Sequence, residues 1–138
     1  MFYSKILQFV LICSTASLIA YQAVAGDSPI KQYQKQAKLD DPAFTQFSIY
    51  NGEQIYRSAT GGKADTPSCT TCHSQSPQKT GETRSGKSIK PMAISVTPSR
   101  YQEFKKTEKW FRRNCKSVMG RECTAREKGD FLTYMLNQ

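Results

Sequence analysis

The stretch Cys69-Thr70-Thr71-Cys72-His73 constrains this chain more than any other. A C-x-x-C-H run is the attachment signature of a c-type haem. Two thiols bond covalently to the two vinyl groups of the porphyrin. Two intervening residues let both sulfurs reach one edge of the macrocycle from a single turn of backbone. The histidine directly after the second cysteine then lies beneath the iron as its proximal ligand. Two other readings compete. A structural zinc site needs four protein ligands, and the remaining cysteines, Cys115 and Cys123, lack zinc-knuckle spacing. A thioredoxin-like dithiol belongs in a βαβ pattern, which this sequence does not contain.

The N-terminus reads as an export signal. Lys5 supplies the positive start, residues 6–20 are mostly apolar, and Ala23-Val24-Ala25 is a small-residue cleavage site. Residues 1–25 are therefore expected to be a cleaved signal peptide, and residues 26–138 one monohaem domain. The apolar run falls short of the roughly 20 residues a membrane span needs, so no stable membrane insertion is expected after cleavage. Haem attachment by C-x-x-C-H takes place outside the cytoplasm, so leader and motif agree on a periplasmic protein. In that oxidising compartment Cys115 and Cys123 are expected to form a disulfide. The closed loop is short, and the chain-entropy relation assigns it about 2.5 kcal/mol. The chain is only 38% hydrophobic, and a covalently held haem would add a large apolar body to its core. Its net charge is +9 at pH 7. For an exported protein that balance argues against nucleic acid and for a redox partner protein with an acidic docking face.

The periodicity is helical or irregular throughout. Ser28-Pro29 starts a helix carrying Ile30, Tyr33 and Ala37. Asp41-Pro42 repeats the start signal, and Phe44, Phe47, Tyr50, Ile55 and Tyr56 follow on a second helix. Gly52 inside that helix implies close approach by another helix, since it otherwise costs about 1 kcal/mol relative to Ala. Residues 58–67 read as a loop, and so does the longer polar stretch 74–90. The apolar return Ile89 to Ile94 is expected to pack on the haem. Thr97-Pro98 is a further helix start, Lys109 to Asn114 a short helix, and Cys115 to Cys123 a tight loop. The last helix opens on the capping box Thr124-Ala125-Arg126-Glu127 and carries the stripe Phe131, Leu132, Met135, Leu136. The fold class is all-α, with several helices wrapped around one haem and a large loop fraction.

His73 is the only histidine, so a second imidazole from this chain cannot take the iron's other face. Met/His ligation is the usual arrangement in electron-carrying cytochromes c. Met92, after a proline in the apolar return, is the first methionine candidate and Met119 the second. Met135 belongs to the last helix stripe. With Met92 as ligand the chain would be an ordinary low-spin electron shuttle. A peroxidase-like enzyme needs a distal acid–base group, and no spare histidine is present to supply it.

Three segments resemble the sphaeroides haem protein (SHP) family, high-spin class I cytochromes c. They are Gly61 to His73, Thr80 to Lys87, and Glu108 to Thr124, which includes Trp110-Phe111-Arg112-Arg113-Asn114-Cys115 and Gly120-Arg121-Glu122-Cys123. The resemblance implies a class I cytochrome c-type fold. It implies that Asn114, directly before the first disulfide cysteine, is the sixth ligand of ferric iron, and that Cys115 pairs with Cys123. An amide oxygen is a hard, weak donor better suited to Fe(III) than Fe(II). On reduction Asn114 is then expected to leave, opening the ferrous face to O2, NO, CO or similar small ligands. Such a protein is an electron carrier and ligand binder rather than an enzyme, with weak O2 or NO reduction the one activity an open face would allow. Its redox partner is expected to be another c-type cytochrome. The same resemblance implies contact of Gly52 and Tyr56 with Phe131 and Tyr134. It places Trp110 against the haem and makes Arg84 and Lys87 candidates for its propionates.

Overall fold

The computed structural model describes residues 27–138. The expected signal peptide lies outside the described residues. Helix α1 spans Pro29–Asp40, α2 Ile49–Arg57, α3 Thr70–His73, α4 Phe104–Met119 and α5 Ala125–Leu136. A small antiparallel pair, β1 (Gly81–Glu82) and β2 (Ser88–Ile89), lies between α3 and α4.

Helix α5 is the centre of the packing, against both α1 and α2. Its N-terminus is held by the capping box: the Thr124 hydroxyl accepts from Glu127 N–H, and the Glu127 carboxylate accepts from Thr124 N–H. Phe131, Leu132, Tyr134 and Met135 are buried, and Met135 is wholly enclosed. Leu136, expected on the stripe, is instead exposed. The 100° step per residue turns it past the edge of the buried face, and Tyr134 occupies that face in its place. Phe131 meets Tyr56 and Phe111 edge-on or tilted, with ring centroids 6.4 and 5.5 Å apart.

Where α2 crosses α5 the backbones nearly touch. A Cβ built on Gly52 would lie 2.1 Å from the Asp130 carbonyl oxygen and 2.7 Å from the Tyr134 Cβ. Neither atom is the end of a flexible side chain, so the helices would have to part. Gly52→Ala is therefore expected to destabilise by about 2–3 kcal/mol. Helix propensity alone predicts a gain of about 1 kcal/mol. A thermal melt decides the sign, and an unchanged or raised Tm contradicts the crossing. Asp130, itself buried, accepts from the Ser48 N–H at 2.7 Å and so fixes the start of α2 from 82 residues away.

Four sequence expectations change here. Asp41-Pro42 begins a turn and not a helix: the Asp41 carboxylate accepts from Ala43 N–H and its carbonyl from Phe44 N–H, an Asx-turn closure. Phe44 is thereby dropped into a small separate core with Ala37 and Ala125. Thr97-Pro98 likewise makes only a turn, because Tyr101 adopts φ 56° and breaks any helix there. Lys109 to Asn114 is the middle of a single 16-residue helix, α4, which also absorbs the first half of the supposed Cys115–Cys123 loop before Gly120 ends it at φ 71°. The 74–90 stretch, read as a loop, contains the β1–β2 hairpin. Its turn is closed by Thr83 N–H to Lys87 O and Gly86 N–H to Thr83 O, with Gly86 at φ 77°.

A polar triad joins α1, α4 and α5. The Glu108 carboxylate accepts from the Tyr33 hydroxyl at 2.7 Å and from Lys128 Nζ at 2.6 Å. Partial burial raises the Glu108 carboxyl, but the hydrogen bonds from Lys128 and Tyr33 outweigh it, and the group sits below the ordinary glutamate range. A depressed folded-state value means stability that is present above the unfolded carboxylate range and lost as pH falls through the folded value. Glu108→Gln is expected to weaken the fold at neutral pH and to flatten its acid-unfolding limb. An acid limb identical to wild type would contradict the assignment.

Candidate functional site

The C-x-x-C-H run forms a single helical turn. His73 N–H donates to Cys69 O at 3.0 Å and Cys72 N–H to Cys69 O at 3.3 Å. Three residues apart on a helix, the two cysteines share one face, and both are free, half-buried thiols. Cys69 packs on the main core cluster, and burial pushes its thiol up to about 11. A disulfide-exchange cysteine needs the opposite, a stabilised thiolate, so Cys69 does not suit the dithiol reading. Among the described residues no group of three or more His, Cys, Asp or Glu gathers as a metal-holding set, which leaves the zinc reading without ligands.

The turn is anchored from three sides. The buried Tyr56 hydroxyl on α2 lies 2.8 Å from His73 O and 2.7 Å from Ser74 O. Arg57 donates to Gln75 O at 2.8 Å. Ser74 takes the left-handed φ of 67° that turns the chain out of the helix. Behind it Gly81 lies so close to Cys72 that a Cβ would come within 2.1 Å of the Cys72 carbonyl oxygen. Burial, and then the Arg100 charge, lower His73 to about 4, so its imidazole is neutral at pH 7 and has a lone pair to give. Its Nδ1 is buried and has no hydrogen-bond partner.

The apolar return is pinned between this turn and α5. Met92 and Ala93 N–H both donate to Pro77 O, at 2.7 and 2.9 Å, and Ile94 N–H donates to Met135 O at 3.2 Å. Arg100 clamps it from outside by donating to Pro91 O and Lys90 O at 2.6 and 2.7 Å. Met92 is buried in the core cluster, its sulfur 3.9 Å from the Tyr101 hydroxyl, which also donates to Met92 O. Met119 ends α4 with its sulfur 3.2 Å from Cys123 Sγ.

Helix α4 presents the remaining candidates. Lys106, Trp110, Asn114 and Val118 fall on one i, i+4 row. At the end of that row, the loop feeding the motif is stitched to α4. Gly62 N–H and the Thr60 hydroxyl donate to Val118 O, Lys63 N–H donates to Ser117 O, and Thr66 and Ser117 pair their hydroxyls at 3.3 Å. Trp110 and Asn114 are both exposed. Cys115, the next residue, is bonded to Cys123, with Cα atoms 5.7 Å apart, so the turn carrying Asn114 is tied to the chain entering α5. Arg84 is paired with Asp65 in the loop before the motif, and Lys87 stands exposed on the hairpin.

The sequence reading did not single out Arg100, Tyr101 or Gly81. Arg100 and Tyr101 act through side chains folded back onto residues 90–92, and no local pattern announces that. Gly81 had a signal, a glycine within the polar run 74–90, without an indication of what approaches it. One groove lies between α1, α4 and the start of α5, with Tyr33, Glu108, Cys123 and Lys128 on its walls, and a second between the start of α1 and the start of α4; neither is lined by Cys69, Cys72 or His73. The donor set itself fits a covalent haem: two free thiols on one face and a neutral imidazole beside them.

Residues 42–135 match the family model described as Domain of unknown function (DUF1924). The chain is 42% identical over 124 residues to cytochrome c-type protein SHP of Cereibacter sphaeroides, covering 89% of this chain and 95% of that protein. It is 29% identical over 115 residues to cytochrome c'' of Methylophilus methylotrophus, covering 79% of this chain and 77% of that one. Among solved structures, oxidised SHP, described as an oxygen-binding cytochrome c, superposes with a TM-score of 0.72 over 82% of this chain and 100% of that chain. Oxidised cytochrome c'' superposes with a TM-score of 0.69 at 26% identity, over 79% of this chain and 90% of that chain. The helical fold, the one-turn cysteine–histidine site and these likenesses agree: the chain belongs to the SHP family of c-type cytochromes, helical proteins that carry a single covalently bound haem c.

Proposed function

We propose that this is an exported electron-transfer cytochrome whose reduced form binds a small diatomic ligand. Haem c supplies a one-electron iron couple and one face at which a small ligand can be exchanged. Cys69 and Cys72 form the thioether tethers. His73, neutral and buried, is the proximal donor, and Tyr56 holds its backbone in place. Asn114 gives its amide oxygen to the ferric iron. That oxygen is neutral and hard, so as a haem ligand Asn114 would favour the higher charge and would be held less firmly by the reduced iron. Its exposed position on α4 leaves the side chain free to move without disturbing the core.

The observation that carries this reading is the α4 row. Asn114 stands on it between Trp110 and the Val118 carbonyl that holds the motif loop, and the Cys115–Cys123 bridge braces its turn. The likeness to oxygen-binding SHP supports the small-ligand half of the proposal. The electron source is a redox protein, with another c-type cytochrome the natural class. The leader sequence and the disulfide support a periplasmic location. Among the described residues no helix is long and apolar enough to cross a membrane.

The competing shuttle reading assigns the sixth position to Met92. Met92 is enclosed in the core with its sulfur beside Tyr101, and that surrounding supports a packing role. Met92→Ala is expected to cost about 2–5 kcal/mol, as buried Met truncations do, and to leave the ferric absorption spectrum unaltered. A Met92→Ala protein with a changed ferric spectrum, beside an unchanged Asn114→Ala, would replace this proposal with the shuttle.

A further inference from the structure

The fold treats one of its methionines differently from the others. Met92 is 8% exposed and Met135 wholly enclosed, whereas Met119 is half-buried at the end of α4. The Met119 sulfur lies 3.2 Å from Cys123 Sγ. Cys123 is bonded to Cys115 and has no thiol proton to share, so two sulfurs meet here without a hydrogen between them. At 3.6 residues per turn, position 119 stands about 140° round the helix from Asn114. Met119 therefore faces the entry of α5, away from the row that carries Trp110 and Asn114.

The last turn of α4 is also where the loop feeding the motif is tied down. Val118 O accepts from Gly62 N–H at 3.0 Å and from the Thr60 hydroxyl at 2.9 Å, and Ser117 O accepts from Lys63 N–H at 2.9 Å. A Cβ on Gly62 would lie 2.2 Å from Val118 O, so loop and helix meet without slack. A change at Met119 is felt by both.

We infer that Met119 is a reversible oxidation site, converted to the sulfoxide by a peroxide and restored by a methionine sulfoxide reductase. A sulfur lone pair attacks one peroxide oxygen, the O–O bond breaks, and that oxygen stays on sulfur. The other oxygen leaves as water with both protons. Sulfur gives up two electrons and the peroxide takes them. Cys123 covers one side of the thioether, so oxygen enters from the other and one sulfoxide epimer forms. The new S–O group is polar and does not fit against a disulfide sulfur. The last turn of α4 then loosens, and its hold on residues 60–63 with it. None of these steps involves the iron.

The test is hydrogen peroxide added to the ferric holoprotein, with imidazole on the iron so that the haem does not activate the peroxide, followed by mass spectrometry of tryptic peptides. Cleavage after lysine and arginine, except before Pro91, places Met119, Met92 and Met135 in peptides 117–121, 88–100 and 129–138. Peptide 117–121 is expected to gain one oxygen about tenfold faster or more than the other two. Of the two methionine sulfoxide reductases, each specific for one epimer, one should remove that oxygen from the released peptide and the other should leave it. The Tm of the oxidised protein is expected to fall by about 4 °C or more and to recover after treatment with the matching reductase. Met119→Leu, close to methionine in volume, should keep its Tm through the peroxide treatment. Equal oxidation of the three peptides, or faster oxidation at Met92 or Met135, would overturn the site. Removal of equal shares by the two reductases would overturn the role given to Cys123. A Tm unmoved by complete oxidation of Met119, or one that does not recover, would overturn the reversible loosening.

Discussion

Asn114→Ala is expected to change the ferric absorption spectrum of the holoprotein and to leave the ferrous spectrum as it was. The asymmetry follows from the donor. An amide oxygen competes for Fe(III) and not for Fe(II), so its deletion matters in one oxidation state alone. External ferric ligands such as imidazole or azide should then bind about tenfold tighter or more, because they no longer displace an internal competitor that holds most of the population. Asn114 is exposed, and an exposed Asn-to-Ala change in the apoprotein shifts stability by about 0.5 kcal/mol or less. A spectral change without loss of fold therefore separates ligation from packing. Equal changes in both oxidation states, or none, would remove Asn114 from the iron.

The second large effect concerns the tether. Cys69→Ser with Cys72→Ser is expected to leave a chain that loses haem completely on denaturation, with an intact mass equal to the polypeptide. Serine is close to cysteine in size. At position 69 the new hydroxyl would face the Ile55 carbonyl that the thiol now faces at 3.7 Å, so the turn loses little of its packing. The change strikes the covalent chemistry. Haem retained after denaturation in the double variant would show attachment elsewhere and contradict the assignment. His73→Ala gives the complementary result, a tethered haem without its proximal donor.

The haem turn was legible in the sequence because covalent chemistry fixes both its spacing and its residue order. The Thr124–Glu127 capping box was legible because all its atoms are local. Gly52 could be read as a crossing point because a glycine inside a helix has a cost that something must repay. The misread helix starts share one cause. Asp41-Pro42 and Thr97-Pro98 are signals common to helices and turns, and tertiary contacts choose between them. Phe44 chose burial with Ala37 and Ala125. Tyr101 chose a left-handed backbone that aims its hydroxyl at Met92. The hold of Asp130 on α2 spans 82 residues and leaves no local trace. Asn114 is a polar residue on an amphipathic helix, and the residues alone do not raise it above its neighbours. The family resemblance alone singled it out.

The most direct measurement is the optical spectrum of the purified holoprotein, oxidised and then reduced, before and after carbon monoxide. The account predicts a high-spin ferric spectrum, a five-coordinate ferrous spectrum, and an immediate shift of the ferrous bands when carbon monoxide is added. A low-spin spectrum in both oxidation states, unmoved by carbon monoxide, would contradict it.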